Sequence, residues 1–142
     1  MEHLTPLPES RAQLLEDFAL FDSWEDRYAY LVDLGKRLPG LPEAEKTDAH
    51  KVRGCTSQVW FVRRPSSDGR LRWDGDSDAV IVRGLVALLQ VLTAGRTAEE
   101  IRAADVEGLF QQLGLERHLS MNRRNGFVAM VRKLEEWAEP SA

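Results

Sequence analysis

Cysteine is nearly missing from this chain: of 142 residues, Cys55 alone carries a thiol. A single thiol forms no internal disulfide and gives a dithiol oxidoreductase no resolving partner. It also falls short of the several thiolates that hold an iron–sulfur cluster. Histidine is almost as sparse. His3, His50 and His118 are scattered, and neither they nor Cys55 fall at ligand spacing, so no metal site is assigned. Positive charge is not in excess: 19 Lys and Arg stand against 23 Asp and Glu, for a formal net charge of −4. Acids and bases are well mixed, without the basic stripe that nucleic acid requires, so that class of partner is set aside. Long apolar runs are also absent. The most apolar stretch, Val80 to Leu92, is broken by Arg83, Gly84 and Gln90 and is too short to span a bilayer, so no membrane partner is expected. Met1 to Ser10 has prolines and acids but no basic head before an apolar run, so no secretory signal is read there. An unpaired thiol suits a reducing compartment, and the expected location is cytoplasmic.

With 43% hydrophobic and 30% charged residues, the composition is that of an ordinary globular protein, and the length fits one domain. No internal repeat, low-complexity tract or linker divides it. Residues 1–9 read as a flexible tail and residues 10–142 as a single domain. Ser10 with Gln13 predicts a capped helix through Leu14 and Phe18, and Ser23 opens a second one carrying Trp24, Tyr28, Leu31 and Leu38, ended by Pro39-Gly40-Leu41-Pro42. The period then changes. Val59 to Val62 reads as a strand, Pro65 to Gly69 as a turn, and Leu71-Arg72-Trp73 as the returning strand of a hairpin. A third short strand is expected near Val80. Asp76, Ser77 and Asp78 are expected to cap the longest helix, striped by Ile81, Leu85, Leu88 and Leu92 and closed by Gly95. Thr97 with Glu100 opens another helix, Gly114 ends a further one, and Ser120 starts the last, with Phe127, Met130, Val131, Leu134 and Trp137 along one side. The fold class is therefore α+β, a small antiparallel sheet packed against several helices. The four tryptophans fit core or sheet-covering places rather than a stacking platform.

Cys55 lies in Gly54-Cys55-Thr56-Ser57-Gln58, at the mouth of the first strand. A lone cysteine is often an inert core filler. Here the flanks are polar, a glycine precedes the thiol, and the segment joins a loop to a strand, where reactive groups tend to be displayed. Lys51 and Arg53 lie close in sequence and would favour the thiolate. A hydrolase triad with His50 and Asp48 is disfavoured, because triad members come from distant segments rather than from five and seven residues away. What one competent thiol can do is carry a group, and sulfur suits it because thiolate exchange needs no cofactor. A second unusual stretch runs from Gly114 through His118, Leu119 and Ser120 to Arg123, Asn125 and Gly126. Most of it reads as a helix–loop–helix corner. Arg123, a cation in a first helical turn, opposes the helix dipole and hints at another duty, such as holding a sulfur anion.

These residues resemble the SufE family of sulfur-acceptor proteins. Gly54-Cys55-Thr56-Ser57-Gln58-Val59-Trp60 is similar to the family's Gly-Cys-Gln-Ser-Gln-Val-Trp segment. Further matches are Leu34-Gly35 with Leu38-Pro39, Asp76-Ser77-Asp78 leading to Ile81-Val82 and Gly84-Leu85, and His118-Leu119-Ser120 with Arg123 and Gly126. Together they run from about Ser10 to the end of the last helix. Thr56 stands where the family usually has Gln, His50 where Asn is common, and Met121 where Pro often follows.

The resemblance implies a compact α+β fold like that of iron–sulfur scaffold proteins. It implies that Cys55 accepts a persulfide sulfur from a pyridoxal-phosphate-dependent cysteine desulfurase, SufS-like or related, and stimulates it. The sulfur then passes towards an iron–sulfur cluster scaffold. No cofactor of its own is implied, and the chain reads as an activator and carrier more than an independent enzyme. Gly54, Ser57, Gln58, Asp78, His118 and Arg123 are the expected supporting or partner-binding residues. Competing expectations are a non-catalytic binding module of the same fold and a single-cysteine redox sensor. A carrier thiol is further expected to be sheltered on a loop that can swing out.

Overall fold

The computed structural model describes residues 7–8 and 10–138. Most of the expected tail, residues 1–6 and 9, lies outside the described residues. Helices α1 (Arg11–Ala19) and α2 (Trp24–Arg37) come first, then two single helical turns at Glu43–Glu45 and Asp48–His50. Strands β1 (Val59–Arg64) and β2 (Arg70–Ser77) follow, then α3 (Val80–Thr93) and the two-residue β3 (Arg96–Thr97). Helices α4 (Ala98–Ala103), α5 (Val106–Gln112), α6 (Leu115–His118) and α7 (Met121–Trp137) complete the described chain. The strands form one antiparallel sheet in the order β1-β2-β3, so the architecture is α+β.

Helix α3 is the spine. Eleven of its fourteen residues are buried, because Val80-Ile-Val-Arg-Gly-Leu-Val-Ala-Leu-Leu-Gln-Val-Leu-Thr is apolar nearly all round and can only be stable when surrounded. It packs on α2, β2, α4 and α7. The α2–α3 crossing is close because glycines meet there. A Cβ on Gly35 would stand 2.8 Å from the Gly84 nitrogen, and one on Gly84 would run into the Leu31 carbonyl. Fully buried side chains at this junction, such as Leu31, Leu34, Leu85 and Leu88, each contribute about 1.5–3 kcal/mol of transfer free energy.

The sheet is covered on both faces. Val59, Phe61, Leu71 and Trp73 join the main core, with the Phe61 and Trp73 rings 4.4 Å apart. Trp60 and Val62 point the other way and pack with Leu41 as a separate small cluster.

Local signals of the helix starts hold. Ser10, Ser23 and Ser120 each accept a bond from the backbone three residues on, and Thr97 with Glu100 forms a complete capping box. Three expectations are corrected. The third strand lies at Arg96–Thr97, while Val80 begins α3. The N-cap of α3 is Ala79, without a side-chain bond, and Asp76 and Ser77 end β2 instead. The longest helix is α7, with 17 residues against 14 for α3.

The end of β2 is held by a buried charge network. Asp76 is 2% exposed; its Oδ1 accepts from Arg83 Nη1 at 2.6 Å and from the Ser77 amide at 2.8 Å. Its Oδ2 accepts from the Leu41 amide at 3.0 Å and lies 3.5 Å from Lys46 Nζ. Arg83 also donates to the Gly35 and Leu38 carbonyls, so one cluster ties the end of α2, the 40–46 segment, β2 and α3 together.

Candidate functional site

The segment carrying Cys55 is a short loop pinned at its base. The Val52 amide donates to the Val59 carbonyl at 2.8 Å, and Lys51 bridges to Trp60, so residues 53–58 form an excursion between two paired positions. Its outgoing end is fixed to the start of α3. Asp78 Oδ1 accepts from the Gln58 amide at 3.1 Å, Asp78 Oδ2 from Gln58 Nε2 at 3.4 Å, and Ser77 Oγ donates to the Gln58 carbonyl at 2.7 Å. Gly54 turns the tip with φ +93°, a backbone that L side chains rarely adopt, and sits against Ala129 of α7. Asp78 and Gln58 thus work as a staple for the loop.

Beyond Gly54, Cys55 is partly buried against the first half of α7, and its thiol donates to the Gly126 carbonyl at 3.5 Å. Burial pushes the Cys55 thiol above its ordinary value, because the thiolate would lose solvation. The expected help from Lys51 and Arg53 is not realised: no nearby cation lowers the thiol, and both residues line a separate cleft on the other side of the loop tip.

A cleft of about 400 Å³ opens at the thiol. Cys55, Thr56 and Ser57 form one wall, Ser120, Asn122 and Arg123 the other, over an apolar floor that includes Val59, Leu85 and Met130. Arg123 sits in the first turn of α7, exposed, with no carboxylate in ion-pair distance among the described residues. A free cation facing a cleft with a thiol is suited to an anionic sulfur species.

His118 goes elsewhere: its ring stacks on Trp24, with centroids 4.4 Å apart and planes 11° from parallel. His50 binds the Glu45 carbonyl through Nδ1 at 2.7 Å, and Asp48 lies 3.6 Å from Lys51 Nζ, so no Cys–His–Asp arrangement assembles. Met121 is 66% exposed at the start of α7. Two contributors were not assigned to the site from the sequence: the Gly126 carbonyl and the cleft-lining Asn122. Asn122, Arg123, Gly126 and Met130 recur at helical spacing, and that period was the signal available. Among the described residues, no cluster of three or more His, Cys, Asp or Glu could hold a metal ion, and no helix is long and apolar enough to cross a membrane.

Fold and site together define an α+β protein that presents one loop-borne, partly buried thiol to a cleft with a free cation. A family model for SufE, the Fe–S metabolism associated domain, matches residues 12–138. The chain belongs to the SufE family and is thereby associated with iron–sulfur metabolism. It is 45% identical over 130 residues to an uncharacterised SufE-like protein of Rhizobium meliloti, covering 89% of this chain and 93% of that one. An uncharacterised SufE-like protein of Rhizobium etli is also 45% identical, over 133 residues, 92% of this chain and 90% of that one. The fold is similar to the solution structure of a hypothetical protein from Thermus thermophilus. The TM-score is 0.72 at 21% identity, over 93% of this chain and 95% of that one.

Proposed function

We propose that this protein accepts sulfur on Cys55 from the persulfide of a pyridoxal-phosphate-dependent cysteine desulfurase, and passes it towards iron–sulfur cluster assembly. The observation that carries the reading is the thiol at the tip of a pinned loop, facing a cleft whose far wall offers Arg123 without an acid partner. In the transfer step the Cys55 thiolate attacks the outer sulfur of the donor's persulfide. A new sulfur–sulfur bond forms on Cys55, the donor's own sulfur–sulfur bond breaks, and its electron pair leaves on the donor thiolate. The Cys55 proton goes to solvent or to a base on the donor, and no outside oxidant or reductant enters. Turnover of the donor is limited by removal of its product sulfur, so an acceptor thiol raises that turnover. The protein is then an activator and carrier rather than a stand-alone enzyme. Arg123 would hold the sulfur anion as it arrives or departs.

A redox sensor fits less well, because such thiols have a lowered pKa and are accessible, whereas burial raises this one. The test is sulfur loading. Incubated with a cysteine desulfurase and cysteine, wild-type protein should gain the mass of one sulfur atom on Cys55 and increase desulfurase turnover. Cys55→Ser should still bind the desulfurase but give no increase, and Arg123→Ala should slow the transfer while leaving the fold intact. Full stimulation by Cys55→Ser would eliminate the carrier mechanism.

A further inference from the structure

On the opposite side of the Gly54 turn from the thiol cleft lies a second cleft, of about 490 Å³, between the 51–54 segment and α7. Its walls carry Lys51 and Arg53 from the loop and Arg132 and Lys133 from the helix, against one acid, Glu136. In a chain of net charge −4 this is a local reversal of sign. Among the described residues, Arg53, Arg132 and Lys133 have no carboxylate in ion-pair distance, and Lys133 instead lies over the Trp137 ring, 5.6 Å from its centroid. Lys51 reaches only the exposed Asp48, at 3.6 Å. Four cationic side chains lining one concavity give it a positive potential, and a carboxylate-bearing ligand is favoured there. The space is larger than a lone inorganic anion fills. Val128 and Ala129 between the cations offer apolar surface to side-chain stems.

We infer that this cleft docks an acidic segment, carrying at least two carboxylates, of the protein that donates sulfur to Cys55. The inference rests on the proposed function for the identity of the partner, but the acidic chemistry of the ligand stands on the cleft alone. Gly54 lines the cleft and Cys55 is the next residue, so a segment bound there brings the donor's body against the acceptor loop. Contacts of this kind set encounter and register between partners, and salt screens them over about 8 Å at physiological ionic strength.

The probe is a fluorescein-labelled hexaglutamate peptide, followed by anisotropy. It should bind wild-type protein and Cys55→Ser alike, weaken steadily with added salt, and weaken about tenfold or more for Arg132→Glu with Lys133→Glu. Both side chains sit on α7, off the acceptor loop. The neutral pair Arg132→Gln with Lys133→Gln, checked by circular dichroism, serves if the reversed pair does not fold, and should show a smaller loss in the same direction. With a cysteine desulfurase that wild-type protein stimulates, the charge-reversed protein should need about tenfold more protein for half-maximal stimulation and reach the same maximum. Peptide binding that is undetectable, or indifferent to charge reversal, overturns the inference. So does an unchanged half-maximal concentration, or displacement of the peptide by oligothymidylate at lower concentration than by unlabelled hexaglutamate, which would make the cleft a phosphate-backbone site. If the docking results hold while Cys55→Ser still stimulates fully, the carrier reading alone fails and the docking site stands.

Discussion

The Cys55 sulfhydryl faces the Gly126 carbonyl at 3.5 Å, an acceptor that favours the protonated thiol and offers nothing to a thiolate. Burial acts in the same direction, raising the thiol above its ordinary value. Both effects belong to the resting loop, and both disappear if the loop tip leaves α7. The thiolate is the reacting form, so a raised pKa means a smaller reactive fraction at neutral pH. Alkylation of the native protein by iodoacetamide should therefore be slower near pH 7 than that of free cysteine. Its rate should still climb at a pH where an ordinary thiol has levelled off, and in urea the profile should fall back to that of an ordinary thiol. Labelling of the native protein at the rate and pH profile of free cysteine would mean that the thiol is not sheltered in solution. The polar flanks of Cys55 and the preceding glycine made it legible in sequence as a displayed thiol. Its shelter was expected from the needs of a carrier, whereas the carbonyl that accepts its hydrogen bond belongs to Gly126, 71 residues further along the chain, and leaves no local signal.

Among the elements, the loop staple controls how freely that thiol is displayed. Asp78 holds both the backbone and the side chain of Gln58, and Asp78→Ala removes two bonds at an exposed position. Each bond is worth about 0.5–1.5 kcal/mol, and exposure to water puts both near the lower figure, so global stability should fall by about 1 kcal/mol. The larger effect should be local. Thiol labelling at constant pH should accelerate several-fold while the urea midpoint moves little, and an unchanged labelling rate would show that the staple does not govern loop opening. Helix starts were legible because a cap is a bond from one side chain to the amide three residues on, complete within the sequence window at Ser10, Ser23, Thr97 and Ser120. Asp76, Ser77 and Asp78 look the same in sequence and do something else. Asp76 is claimed by Arg83, Lys46 and the Leu41 amide, and Asp78 by Gln58, all partners set by tertiary packing. The two residues of β3 are too few to show a period of any kind.

For the whole molecule, the Asp76 network is the place where elements far apart in sequence are locked to each other. Arg83 donates to Asp76 at 2.6 Å and to carbonyls at the end of α2, so the end of β2, α2 and α3 share one charged junction with the 40–46 segment. The carboxylate is nearly inaccessible, whereas the Arg83 side chain keeps 29% exposure. Removing one member of a buried pair costs about 3–5 kcal/mol, because the other is left without its counter-charge. Arg83 retains some contact with water and its two carbonyl acceptors, which places Asp76→Ala near the lower figure, about 3 kcal/mol. The Leu41 and Ser77 amides lose their acceptor as well, so the loss should not be recovered by neutralising the arginine. Arg83→Met in the Asp76→Ala background should restore only part of it. Equilibrium urea unfolding of the three proteins measures this directly. The same variant should leave sulfur loading of Cys55 intact at temperatures where the fold persists, because no residue of the network lines the thiol cleft and the Asp78–Gln58 staple of the acceptor loop is kept. A loss below about 1 kcal/mol would mean that the cluster is solvated in the folded protein and that the apolar core around α3 alone holds these elements together.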